Sequence, residues 1–74
     1  MISEYELMLG NTVKELRIKK NMTQEQLSIK LQVSGCDITR SAVAKIEVGQ
    51  RHIYPHELRA LKQILSVSYD ELLK

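Results

Sequence analysis

Arg40, Ser41, Ala44 and Lys45 are the residues of this chain whose types and spacing suit a definite chemistry. On a helix they fall away from the apolar Val43 and Ile46, forming a face of small and positive side chains with no acid in it. A helix start that exposes two cations and a hydroxyl can enter the major groove of a duplex and touch base edges. A second helix start, at Thr23 and Gln24, offers free backbone N–H groups, the usual partners of a phosphate.

Other chemistries lack their parts. The three glycines are scattered, so no phosphate-cradling loop exists. No cysteine–histidine or serine–histidine set carries a recognisable catalytic motif, and the reading is that the protein is not an enzyme. No cofactor or metal site is expected: one cysteine and two histidines do not make a structural zinc site. Cys36 reads as a small, semi-buried or loop residue. His52 and His56 are separated by Pro55 and read as surface or capping groups. Binding of single strands is disfavoured, because bases stack on aromatic rings. This chain has no Trp, no Phe and three Tyr, all outside its basic centre.

The elements that must position these residues follow from their punctuation. Ser3-Glu4-Tyr5-Glu6 has the spacing of a capping box and opens a first helix over about residues 4–20, with Leu9, Val13 and Leu16 on one stripe. Gly10 weakens that helix and is expected where a second helix approaches closely. Asn21 suits the exit. Thr23-Gln24-Glu25-Gln26 is a second capping box, and Leu27 and Leu31 mark the buried face behind it. The helix fades between Gln32 and Ser34, with Gly35 as the stop. Thr39 starts a third helix, Ile38 packs back as a staple, and Gly49 ends it. Pro55 opens a fourth helix with Leu58, Leu61, Ile64 and Leu65 inward, and Ser68-Tyr69-Asp70-Glu71 opens a short fifth. No period-two alternation persists. The expected fold is all-α, five short helices around one core, a single domain over residues 1–74.

Composition agrees. Hydrophobic residues make up 43% and charged residues 27% of 74, ordinary values for one small globular domain. No apolar run approaches the roughly 18 residues of a membrane span, and the start of the chain is acidic where a signal peptide is positive. These features predict a cytoplasmic protein without a membrane partner. Net charge is +2 but unevenly placed. Eight basic and four acidic residues lie between Lys14 and Arg51, a weak pointer to a polyanion.

At this point the residues carry a resemblance. From about Leu9 to Leu73 the chain resembles a Cro/repressor-type helix-turn-helix domain of the Xre family of bacterial and phage regulators, with a lambda-repressor-like fold. The carriers are LGNTVKELRIKKNMTQEQL, ITRSAVAKIEVGQR and HELRALKQILSVSYDELL. The resemblance implies a sequence-specific regulator of transcription, of the repressor type, that binds double-stranded DNA as a two-fold dimer on a pseudo-palindromic operator, with a recognition helix at about 40–48. It implies base contacts from Arg40, Ser41, Ala44 and Lys45, and backbone contacts from Thr23, Gln24, Thr39, Gln50 and Arg51. It also implies a buried structural ion pair between Arg17 and Glu47, and a place on the nucleoid of a bacterial or phage-infected cell.

Two features depart from the family pattern. The turn between helices two and three is longer, and the stretch 32–37 either extends helix two or bulges as a loop. Val48 stands where a polar residue is more usual. The long turn, with Val33 and Cys36, also supports an alternative reading: a protein-interaction module on the same fold, an antitoxin or adaptor, with a protein partner at 32–37. With no heptad repeat, a dimer surface is expected from helix five or the N-terminal turn.

Overall fold

The computed structural model describes residues 3–73; Met1, Ile2 and Lys74, which the reading as one domain included, lie outside them. Most helix starts fall at side chains that satisfy exposed backbone groups. The Ser3 hydroxyl accepts from the N–H of Glu6 at 3.1 Å and opens α1, Glu4–Lys19. The Thr23 hydroxyl accepts from Gln26 N–H at 3.0 Å while the Gln26 side chain accepts from Thr23 N–H at 2.8 Å, and α2 runs Gln24–Val33. Thr39 caps α3, Arg40–Glu47, and Pro55 begins α4, Pro55–Leu65. Ser68 caps α5, Tyr69–Leu72. Among the described residues there is no strand.

The four longer helices end alike. In each, the two residues after the last turn donate backwards across it, for example Cys36 N–H to Leu31 C=O at 2.9 Å and Gly35 N–H to Gln32 C=O at 3.0 Å. This double bond pattern needs a left-handed residue at its centre. The residues with positive φ are Asn21, Gly35, Gly49 and Ser66, one per helix end. The sequence marked the first three as stops. Ser66 gave no such signal, since serine is not a usual left-handed residue.

All five helices contribute to one core. Val13, Leu27, Leu31, Ile38, Val43, Ile46, Leu61, Leu65 and Leu72 are each 2% exposed or less. A fully buried leucine contributes about 2–3 kcal/mol. Leu9, Leu16, Leu58 and Ile64 sit half-buried at its margin. The long turn resolves into both of its expected forms. Helix α2 persists to Val33, and residues 34–39 then fold back underneath. Cys36 and Ile38 are buried there. The Ile38 carbonyl accepts from the Ser28 hydroxyl at 2.7 Å and from the Gln32 amide at 3.1 Å. The extra residues therefore carry core contacts of their own. No helix among the described residues is long and apolar enough to cross a membrane.

Candidate nucleic-acid interface

Helix α3 is held from behind by its one acidic residue. Glu47 is 2% exposed. Its Oε2 accepts from Arg17 Nε at 2.6 Å, and its Oε1 from Arg17 Nη2 at 3.1 Å and from Gln24 Nε2 at 3.0 Å. Arg17 Nη1 donates to the Met22 carbonyl at 2.7 Å. One carboxylate thus ties α1, α2 and the turn between them to the end of α3. Gly10 brings α1 onto the same end: a Cβ there would lie 2.1 Å from the Ile46 carbonyl oxygen. These contacts fix the attitude of α3, which at eight residues is too short to hold its own conformation in water.

Burying Glu47 leaves the outer face of α3 free of carboxylates. Arg40, Ser41 and Lys45 are exposed, and Ala44 is half-buried between them. Val48, one turn beyond Ala44, continues this stripe and is 52% exposed. The face combines two cations, a hydroxyl and methyl groups, with Arg40 and Ser41 in the first turn, at the positive end of the helix. It has the chemistry to meet the negatively charged, hydrogen-bonding floor of a DNA groove.

The residues expected at the phosphate backbone are arranged differently. Thr23 and Thr39 are exposed, but their hydroxyls cap α2 and α3, Thr39 accepting from Ala42 N–H at 3.2 Å. The Gln24 amide is turned inward to Glu47. Gln50 is exposed. Arg51 is half-buried and paired with Glu57, Nη1 to Oε1 at 2.9 Å and Nη2 to Oε2 at 3.0 Å, and Nη1 also donates to the His52 carbonyl at 2.8 Å. Its guanidinium lies over the Tyr54 ring, 5.9 Å from the centroid. The Arg51 guanidinium, against the cost of desolvation, and the donated Tyr54 N–H hold the Glu57 carboxyl below its ordinary value. In the same way Glu57 pushes Arg51 up. Sequence reasoning missed Glu57. Its signal was present: a glutamate at the third position of a proline-started helix can reach back to the cap N–H, as it does to Tyr54 N–H at 3.0 Å.

Two histidines flank this loop. His52 contacts the Glu6 carboxylate of α1 through Nδ1, and His56 stacks on Tyr54 with ring centroids 6.4 Å apart. At Glu6, desolvation is outweighed by hydrogen bonds from Ser3 and by the neighbouring His52, so its carboxyl lies below the ordinary value. Among the described residues no group of three His, Cys, Asp or Glu is placed to hold a metal ion.

Comparison with known proteins gives one consistent picture. Residues 13–72 match the helix-turn-helix family model. Control protein C.BamHI of Bacillus amyloliquefaciens is 30% identical over 74 residues, covering 99% of this chain and 85% of that protein. The HTH-type transcriptional activator BcrR of Enterococcus faecalis is 39% identical over 61 residues, 82% of this chain; the match spans only 28% of the activator. The crystal structure of the restriction-modification controller protein C.AhdI from Aeromonas hydrophila has 33% sequence identity and a TM-score of 0.75, covering 89% of this chain and 92% of that one.

Proposed function

The chain belongs to the helix-turn-helix family of DNA-binding transcriptional regulators, and we propose that it reads a specific duplex sequence by inserting α3 into the major groove. The observation that carries this reading is the carboxylate-free outer face of α3, bearing Arg40, Ser41, Ala44 and Lys45. In this reading those four meet base edges, and the remaining contacts position them. The family is one of DNA-binding regulators, not a class of enzymes.

The inward-turned side chains refine how the backbone is held. With the Gln24 amide on Glu47 and the Thr23 and Thr39 hydroxyls on caps, the first-turn N–H groups of α2 and α3 are the donors left for phosphates. Arg51 keeps Nε–H and one Nη2–H beyond its bonds to Glu57 and His52, enough to reach a phosphate while staying paired. Gln50 stands beside it. One eight-residue helix spans too few base pairs for a unique site. The reading therefore includes two copies on a pseudo-palindrome, their helices about 34 Å apart. Such a protein works on the nucleoid, in the cytoplasm of a bacterial or phage-infected cell.

Selection of bound duplexes from a random pool, at two salt concentrations, tests the reading. It expects an enriched two-fold motif with half-sites about 10 base pairs apart; a pool that stays random at both concentrations would overturn it. The second reading, a protein-interaction module, draws on one observation: Val33, in the last turn of α2, is 84% exposed. A chain that leaves the pool random and yet binds a protein partner would favour it.

A further inference from the structure

A carboxylate close to bound DNA ordinarily weakens the complex, because phosphates repel it. Glu57 is such a group. It is paired with Arg51, in the loop that meets the backbone in the reading above. The Arg51 guanidinium holds its carboxyl below the ordinary value, so the negative charge is present at neutral pH. The acid is nevertheless turned inward: its side chain is 5% exposed, against 25% for Arg51. The cation therefore faces solvent and the carboxylate does not.

The donors of Arg51 are engaged in a definite pattern. Nη1 donates to Glu57 Oε1 at 2.9 Å and Nη2 to Oε2 at 3.0 Å, which occupies the far end of the guanidinium. The second hydrogen of Nη1 goes to the His52 carbonyl at 2.8 Å. The Tyr54 ring covers one face, its centroid 5.9 Å from Cζ. What remains is Nε–H and the Nη2–H on the same side as Nε. These two point in parallel from one edge, the arrangement that matches two oxygens of a phosphate. The groups that hold Arg51 are themselves held. Glu57 Oε1 also accepts from Tyr54 N–H at 3.0 Å, at the start of α4. His52, whose carbonyl takes the Nη1 hydrogen, contacts Glu6 of α1 through its ring. An unattached arginine loses rotamer freedom when it closes on a phosphate. Arg51 has lost that freedom on folding.

We propose that Glu57 is a positioning residue for DNA binding: its carboxylate fixes Arg51 so that the edge bearing Nε–H and Nη2–H meets a backbone phosphate. The proposal rests on the duplex-binding reading above and adds to it that an acid strengthens the complex. Charge alone predicts the opposite. Glu57→Gln raises the net charge by one unit above the present +2, which should tighten binding to any duplex. The sign of the effect therefore separates positioning from charge. The effect is also expected to be blind to sequence, because a phosphate contact carries no base information.

A double-mutant cycle of the full chain reads this directly. Wild type, Glu57→Gln, Arg51→Ala and the double variant are each titrated against the selected duplex and a random one at the same salt. Glu57→Gln keeps an oxygen for the Tyr54 N–H and should bind both duplexes about two- to tenfold more weakly. Arg51→Lys, which keeps the charge but has no planar fork, should lose about as much on both. In the Arg51→Ala background, Glu57→Gln should cause no loss. Unchanged or tighter binding by Glu57→Gln alone would overturn the positioning role and leave the reading of bases by α3 standing. An equal loss in both backgrounds would also overturn it, since the loss would then arise at the start of α4 and not through Arg51. A wild type that binds neither duplex would overturn both the proposal and the reading beneath it.

Discussion

Gly10→Ala separates two opposite expectations, because local and tertiary effects have different signs there. On an exposed helix, alanine in place of glycine gains about 1 kcal/mol. Here the added Cβ would lie 2.1 Å from the Ile46 carbonyl oxygen, where ordinary van der Waals contact begins at 3.4 Å, so α1 and α3 must part by more than about 1 Å. Backbone stands on both sides, so no side chain can swing away. The Ile46 carbonyl also accepts from Gly49 N–H at 3.0 Å, in the cap that ends α3. Overpacking of this kind costs about 1–3 kcal/mol and occasionally more. With backbone on both sides the upper end applies, and subtracting the helix gain leaves a net loss of about 2 kcal/mol. In a chain this size, thermal unfolding followed by circular dichroism should show Tm falling by about 8–16 °C. DNA affinity should fall as well, since α3 shifts relative to α2. An unchanged or raised Tm would refute the claim that α1 seats α3 by backbone contact.

Four further outcomes follow from the same structure. Glu47→Gln should cost about 3–5 kcal/mol in urea unfolding, by stranding Arg17 in a buried site, and the paired change Arg17→Met with Glu47→Leu should cost less than either single charge removal. Ser66→Gly should stabilise by about 0.5–1 kcal/mol, because Ser66 holds a left-handed φ of 55° at the end of α4; destabilisation would deny that conformation. The Arg51–Glu57 pair sets a pH dependence. Glu57 is held below its ordinary value of 4.5, so its contribution is complete above that pH and is lost as pH falls through the lowered value. The acid limb of a Tm-versus-pH curve should therefore flatten in Glu57→Gln, and an unchanged limb would count against the pairing. Arg51→Ala should weaken all duplexes alike and reduce the salt slope by about one unit.

Helix boundaries were legible because their signals are local. Ser3, Thr23 and Ser68 each stand three residues before the glutamate or glutamine that completes a box, and Gly35 and Gly49 stand at stops. The close approach at Gly10 was also legible, since a glycine inside a helix stripe has few other reasons to be there. What stayed hidden was long-range. No spacing rule reveals that Glu57 occupies Arg51, or that Gln24 turns its amide toward Glu47, twenty-three residues away. The resemblance named Arg17 and Glu47 as partners, and their geometry makes them the joint of three helices. The turn at 32–37 was ambiguous in sequence because Val33 and Cys36 are both apolar. Only folding decides that Cys36 goes under and Val33 stays out.

The central claim is that the outer face of α3 reads bases, and Arg40→Ala tests it most directly. Equilibrium binding of wild type and variant would be measured on the selected site and on random duplex at the same salt. The account predicts a loss of about 1–3 kcal/mol on the selected site, a much smaller loss on random DNA, and relaxed preference at one base pair. Equal losses on both duplexes would mean that Arg40 only neutralises phosphate, and would contradict the account.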